Sequence, residues 1–256
     1  MTSLTARHTC REGTPRRRAA TPRAALAVVL GLTLALAGCS DEEADVVATS
    51  SAPPPTAADR LEQAEGVLVD AGTLHLSMTG TQLPEDTNSY IISAVGDGTM
   101  EPPAFTGTIT AKIAGIQADI PTVALDGDLW VKLPYVPKHV KTDPATLGVP
   151  DPATLFDPES GLVGLLTQTQ TPAFGERARA GSEIVQEITG TLPGKAVTDL
   201  LYVGDAASPF DVTYGLVEES WQVRTVTITG PFYPPATSTY TLVLDAYGAP
   251  VTVTQP

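Results

Sequence analysis

The first apolar feature of the chain is an unbroken run from Ala24 to Ala37, AALAVVLGLTLALA. Six arginines and one acid, Glu12, precede it, and it ends in Leu36-Ala37-Gly38-Cys39. A basic start, an apolar stretch and small residues before a cut mark a secretory leader. The run has fourteen residues, short of the ~20 that span a bilayer. Leu-Ala-Gly-Cys has the form of a bacterial lipobox. The expectation is removal of residues 1–38 and a diacylglycerol on the Cys39 sulfur. Ser40 to Pro55, SDEEADVVATSSAPPP, then loses all periodicity. Residues 39–55 therefore read as a lipidated cysteine on a flexible tether, with a folded domain over 56–256.

From Thr56 a helical period appears. Leu61, Ala64, Leu68 and Ala71 fall on one face, Thr56 is placed to cap, and Gly72 to stop. The period then drops to two. Leu74, Leu76 and Met78 alternate with His75, Ser77 and Thr79. Phe105, Gly107, Ile109, Ala111 and Ile113 alternate with three threonines and Lys112. Ile116, Ala118 and Ile120 follow, then a hairpin turn at Asp126-Gly127, then Leu129, Val131 and Leu133. The middle holds two Asp-Pro-Ala-Thr-Leu turns, at Asp143 and Asp151, each with proline at a first helical position. Asp157-Pro158-Glu159-Ser160 opens an apolar helix to about Thr167. Strands are expected at 176–180 and 183–192, a second helix over 194–202, and a meander at 211–218, 221–230, 238–246 and 250–254. The apolar pattern slips phase near Arg224, as a β-bulge would make it.

One apolar and one threonine-rich face on nearly every strand imply an antiparallel sheet covered on one side. About ten or eleven strands make a sheet that must curl. The expected fold is α+β, a large curved antiparallel half-barrel with helices on its concave face.

Charge narrows the function. Beyond residue 38 the chain keeps nine basic and 28 acidic side chains, a formal charge of −19. That balance argues against nucleic acid and against docking on anionic headgroups through a basic patch. Cys39 is the only cysteine left, so neither a disulfide framework nor a thiolate metal site is expected. His75 and His139 have no partner at metal-ligand spacing. There is no Gly-x-Ser-x-Gly elbow and no phosphate-cradling glycine loop. Asp126/Asp128 and Glu218/Glu219 read as turn and solvated acids rather than acid–base pairs. No catalysis, cofactor or metal is expected.

The order of these features resembles the mycobacterial-type lipoproteins LppX, LprA, LprF and LprG, over nearly the whole chain after the leader. The resemblance rests on the lipobox, the acidic Ser/Pro tether, Leu74-His75-Leu76 followed by Thr79-Gly80, the hairpin Leu125-Asp126-Gly127-Asp128-Leu129-Trp130, and Asp157-Pro158-Glu159-Ser160-Gly161-Leu162 with Leu165. Pro134–Pro152 and Pro231–Pro235 depart from it. It implies a large apolar cavity between half-barrel and helices, holding acyl chains of lipids or glycolipids, in a fold similar to the lipoprotein carriers of the periplasm. The expected partners are lipids or glycolipids with two or three acyl chains, the membrane through lipidated Cys39 on the extracytoplasmic face, and a membrane transporter as a candidate. Small inward residues (Ala94, Gly107, Ala111, Ala118, Gly190) are compatible with open space or with helices drawn closer. If a cavity exists, alternation assigns its wall to Leu74, Leu76, Met78, Ile109, Ile113, Ile120, Leu129, Val131, Leu162, Leu165, Leu166, Ile184 and Ile188. A solid core would favour the alternative, a lipoprotein that regulates or scaffolds a membrane partner.

Overall fold

The computed structural model describes residues 53–144 and 149–256. The leader, Cys39 and most of the tether lie outside the described residues, as does part of the Asp143 turn. One compact unit spans Ala52–Pro256.

Helix α1 (Ala57–Ala71) begins with a reciprocal cap. Thr56 Oγ1 accepts from the Asp59 N–H (3.2 Å), and Asp59 Oδ2 accepts from the Thr56 N–H (2.7 Å). The Thr56 N–H and the Thr56 hydroxyl (2.9 Å), both donating to Asp59 Oδ2, hold the Asp59 carboxyl below its usual range. Gly72, at φ 67°, ends the helix and turns the chain directly into β1 (Thr73–Thr81). The sheet continues with β2 (Tyr90–Met100), β3 (Pro103–Ile113), β4 (Ile116–Leu125), β5 (Asp128–Val131) and β6 (Val140–Thr142). A 3-10 turn over Pro152–Phe156 follows, capped by Asp151, then helix α2 (Leu162–Thr167). After it come β7 (Gln170–Ala180), β8 (Glu183–Leu192), helix α3 (Gly194–Leu201), β9 (Phe210–Val217), β10 (Val223–Tyr233) and β11 (Ala236–Asp245).

The eleven strands of the described residues form one antiparallel, curved, unclosed sheet in the order β6-β5-β4-β3-β2-β1-β11-β10-β9-β8-β7. Two meanders thus meet at a central β1–β11 pair, where Leu76 faces Leu244 and Met78 faces Leu242. The expected bulge is present: register shifts between Val223 and Thr225. Asp126 and Gly127, at φ 56° and 77°, make the hairpin turn between β4 and β5.

Register carries the apolar face across the whole sheet. One row runs Val131, Thr122, Gly107, Gly96, Leu76, Leu244. The next runs Met78, Leu242, Val226, Tyr214, Ile188. The opposite face carries rows such as Thr79, Thr241, Thr227, Thr213. The helices and the 3-10 turn supply the cover for the apolar face, and α1, α2, α3 and this face share one core.

Two expectations change here. Residues 250–254 form no strand. They follow β11, whose two sides are already taken by β1 and β10, so that strand offers no open edge to pair with. Conversely β2, which contains Gly96-Asp97-Gly98, is a strand that alternation did not announce.

Candidate functional site

The interior is filled, which corrects the expectation of a large cavity. The small residues of the concave face receive aromatic rings. Phe105 lies over Gly96 and Gly107, Phe156 from the 3-10 turn packs on Gly98, and Phe210 packs on Gly230. Phe105 and Phe156 stack at 6.0 Å between centroids. The physical reason is that apolar interiors close on voids whenever rotamers allow it. Small positions in the strands are complemented by large ones elsewhere, so they do not by themselves signal space.

A narrow apolar seam remains under α1 and α2, apart from an open, polar-edged recess between Pro102-Pro103, Asp126-Gly127 and the 3-10 turn. Leu68 of α1 and Leu162, Leu165 and Leu166 of α2 face Tyr214 of β9, Val223 and Val226 of β10, and Leu244 of β11. The empty space around them, open solvent included, is about 210 Å³ and admits no water-sized sphere. Every lining side chain is apolar except for one phenol.

That phenol is the polar tie between lid and wall. The buried Tyr214 hydroxyl donates to the Leu165 carbonyl oxygen at 3.0 Å, and lies 2.8 Å from Thr169 Oγ1. The Thr169 hydroxyl reaches the same carbonyl at 2.8 Å. This carbonyl belongs to the last turn of α2, where backbone acceptors have no helical partner. Burial pushes the Tyr214 phenol pKa well up, against the pull of Thr169, so it stays a neutral donor. At the start of α1, Arg60 stacks over the Trp221 ring at 3.8 Å, beside the β9–β10 turn. Since α1 ends at the start of β1, it lies across the strands between those two points.

The predicted wall residues divide into three groups. Leu162, Leu165 and Leu166 line the seam. Leu74, Leu76, Met78, Ile120, Leu129, Val131 and Ile188 are buried, and Ile109 is partly buried against the same core. Ile113 and Ile184 are corrections: they are 49% and 42% exposed. Ile113 closes β3 beside the Ala114-Gly115 turn and faces Ile116, while Ile184 sits opposite Arg179 at the β7–β8 turn. Both keep the inward parity of their strands but sit beside hairpin turns, where their side chains stay open to solvent. Leu68, Tyr214, Val223, Val226 and Leu244 were not named as wall. The alternation in β9–β11 carried that signal.

His75 lies on the convex face, its Nδ1 2.7 Å from Asp97 Oδ1. Among the described residues no group of three His, Cys, Asp or Glu side chains is arranged to hold a metal.

A curved, unclosed antiparallel sheet with helices laid on one side through an apolar seam is the fold of lipoproteins of known structure. A family model described as LppX_LprAFG lipoprotein matches residues 56–253, and the chain belongs to that family. The family is one of lipoproteins, not of enzymes. The lipoarabinomannan carrier protein LprG of Mycolicibacterium hassiacum is 30% identical over 239 residues, covering 91% of this chain and 97% of that protein. The protein of the same name from Mycobacterium tuberculosis is 25% identical over 208 residues, covering 81% and 82%. The crystal structure of LprF from Mycobacterium bovis matches with a TM-score of 0.64 at 18% identity, over 80% of this chain and 99% of that one. LppX of Mycobacterium tuberculosis gives 0.56 at 17% identity, over 77% and 98%. These two structures establish the likeness of fold.

Proposed function

We propose that this protein is a membrane-anchored lipoprotein that holds acyl chains of lipids or glycolipids between α1–α2 and the concave wall and carries them across the cell envelope. In this reading the leader, residues 1–38, is removed and Cys39 carries the lipid anchor on the extracytoplasmic face. Residues 39–55 then tether the lipid-binding domain, 56–256. The observation that carries the reading is the seam, an interface lined by apolar groups and one phenol. The names of the curated relatives support it and make a lipoarabinomannan-type glycolipid the first ligand to test.

Energetics explain how such a carrier works. Each buried methylene is worth about 0.8 kcal/mol, so a sixteen-carbon chain is worth roughly 12 kcal/mol against water. Free passage through water is therefore closed to such lipids. An apolar interior offers nearly what the bilayer offers, and exchange between the two is close to balanced. Because the interior is filled by its own side chains, loading requires α2 and α1 to lift. The acyl chains then replace leucine contacts with methylene contacts of the same kind. Helix α2 suits that role: at six residues it is too short to be stable alone.

The filled interior also favours a second reading, a lipoprotein that regulates or scaffolds a membrane partner. Native mass spectrometry of the chain from Ser40 onward separates the two, after incubation with lipoarabinomannan and with triacylated lipids. A stoichiometric lipid adduct, reduced in a folded Val226→Trp variant, supports the carrier. A ligand-free mass under all conditions moves the assignment to the scaffold.

A further inference from the structure

We infer that the connection between β5 and β6 is a docking surface for an anionic bilayer. Residues 129–142, LWVKLPYVPKHVKT, contain no acid in a chain rich in them. They hold Lys132, Lys138 and Lys141, three of the nine basic side chains beyond residue 38, of which Lys141 is paired with Asp128 at 2.6 Å. Lys132 and Lys138 are exposed, and so are Leu133, Tyr135 and Val140. Tyr135 sits at the tip of a turn closed by Val136 N–H to Leu133 O (3.1 Å), with φ 68° and its ring fully in solvent.

A second observation points the same way. Strands β3 and β5 run in the same direction, because each pairs antiparallel with β4. The β3–β4 turn therefore leaves the sheet at the same end as the β5–β6 loop. That turn presents Ile113 and Ile116, 49% and 72% exposed, beside a β1–β2 loop whose exposed acids Glu85 and Asp86 leave the lysines of the β5–β6 loop as the exposed cationic part of this end. Aliphatic and aromatic side chains flanked by lysines form the composition that settles at a membrane–water boundary, with rings at headgroup depth and ammonium groups on phosphates.

Charge complementarity selects the occupant. The rest of the domain is strongly acidic and is repelled by anionic headgroups, so electrostatics orients this loop toward them. The sixteen tether residues Ser40–Pro55 reach roughly 50 Å when extended. That exceeds the roughly 36 Å of an eleven-residue strand, so either end of the sheet can meet the bilayer. Net charge argues against docking on anionic headgroups through a basic patch; the proposed loop is a local exception to that balance.

The inference rests on the anchoring part of the proposed function and not on acyl-chain capture. The test is flotation of the chain from Ser40 onward with vesicles of phosphatidylcholine, alone or with 30% phosphatidylglycerol. Binding is expected only with phosphatidylglycerol, and weakened by salt. Lys132→Glu/Lys138→Glu is expected to lower it roughly tenfold or more. Arg179→Glu/Lys195→Glu, with the same net charge, is expected to change it less than about threefold. Among the described residues neither the Lys132 nor the Lys138 side chain has a hydrogen bond or ion pair to lose, and melting curves confirm folding. Absence of binding to the anionic vesicles at low salt, or equal losses in the two double variants, overturns the proposal. Lipid adducts measured by native mass spectrometry on the same samples report separately on acyl-chain capture.

Discussion

Replacing Tyr214 with phenylalanine removes one oxygen from the seam and nothing else. The ring keeps its place in the wall, beside Val226 and Ile188. What disappears is the 3.0 Å bond to the Leu165 carbonyl and the 2.8 Å contact with Thr169. The carbonyl is not orphaned, because the Thr169 hydroxyl still reaches it at 2.8 Å. The cost is therefore that of one ordinary hydrogen bond, about 1 kcal/mol, rather than that of a buried unsatisfied acceptor. For a domain of this size that lowers Tm by about 3 °C. The loss should be local. Amide exchange across α2 should quicken about fivefold while β1 and β11 amides hold. Adding Thr169→Val strips the carbonyl of both side-chain donors, and the pair should cost more than the sum of its parts. Lipid uptake should speed up, since the lid is held less firmly. Unchanged exchange over residues 163–169 in Tyr214→Phe would refute the claim that this hydroxyl ties lid to wall.

Gly98→Ala places a methyl group in the Phe156 ring and should cost about 1–3 kcal/mol by overpacking, read from urea midpoints; no loss would mean the 3-10 turn shifts freely. Partial burial pushes the Asp157 carboxyl up, but N–H donors of Glu159 and Ser160 (2.9 and 2.8 Å) outweigh it and the pKa falls below 3.8. A lowered folded pKa stabilises above the unfolded value and is lost as pH falls through the folded one. The stability gap between wild type and Asp157→Ala should thus be level from about pH 5 to 7 and shrink below about pH 4; a gap still level at pH 3 would show that charge is not its source. Cys39→Ser should move the exported chain from the membrane fraction to the soluble one, checked by fractionation; unchanged membrane association would place the anchor elsewhere.

Local chemistry was the most readable part of this chain. Thr56 and Asp59, the Asp126-Gly127 turn, the Asp151-Pro152 cap and the phase slip at Arg224 each declare their structure through bonds to near neighbours. Strand β2 stayed hidden because Gly96-Asp97-Gly98 reads locally as a turn. Its glycines are required by Phe105 and Phe156, residues from other elements. The same non-local pairing is why the small inward residues, compatible in sequence with open space or with closer helices, could not decide between the two. Leu162, Leu165 and Leu166 are buried in the seam, as an apolar helix predicts. Periodicity could not show that Ile113 and Ile184 sit at turns open to solvent, because the period says which way a side chain points and not what covers it.

The central β1–β11 pair has a consequence for how the chain is made. Each meander can form from contacts between strands adjacent in sequence, which close quickly. The pairing of Leu76 with Leu244 cannot form until the last strand has been synthesised and delivered. Under the proposed export, a channel threading the chain from its start passes a polypeptide whose sheet is still in two halves. The mid-sheet edges of β1 and β11 stay unpaired until translocation of β11 is complete. A chaperone on the far side would find its binding site there, on strands that the finished domain no longer shows.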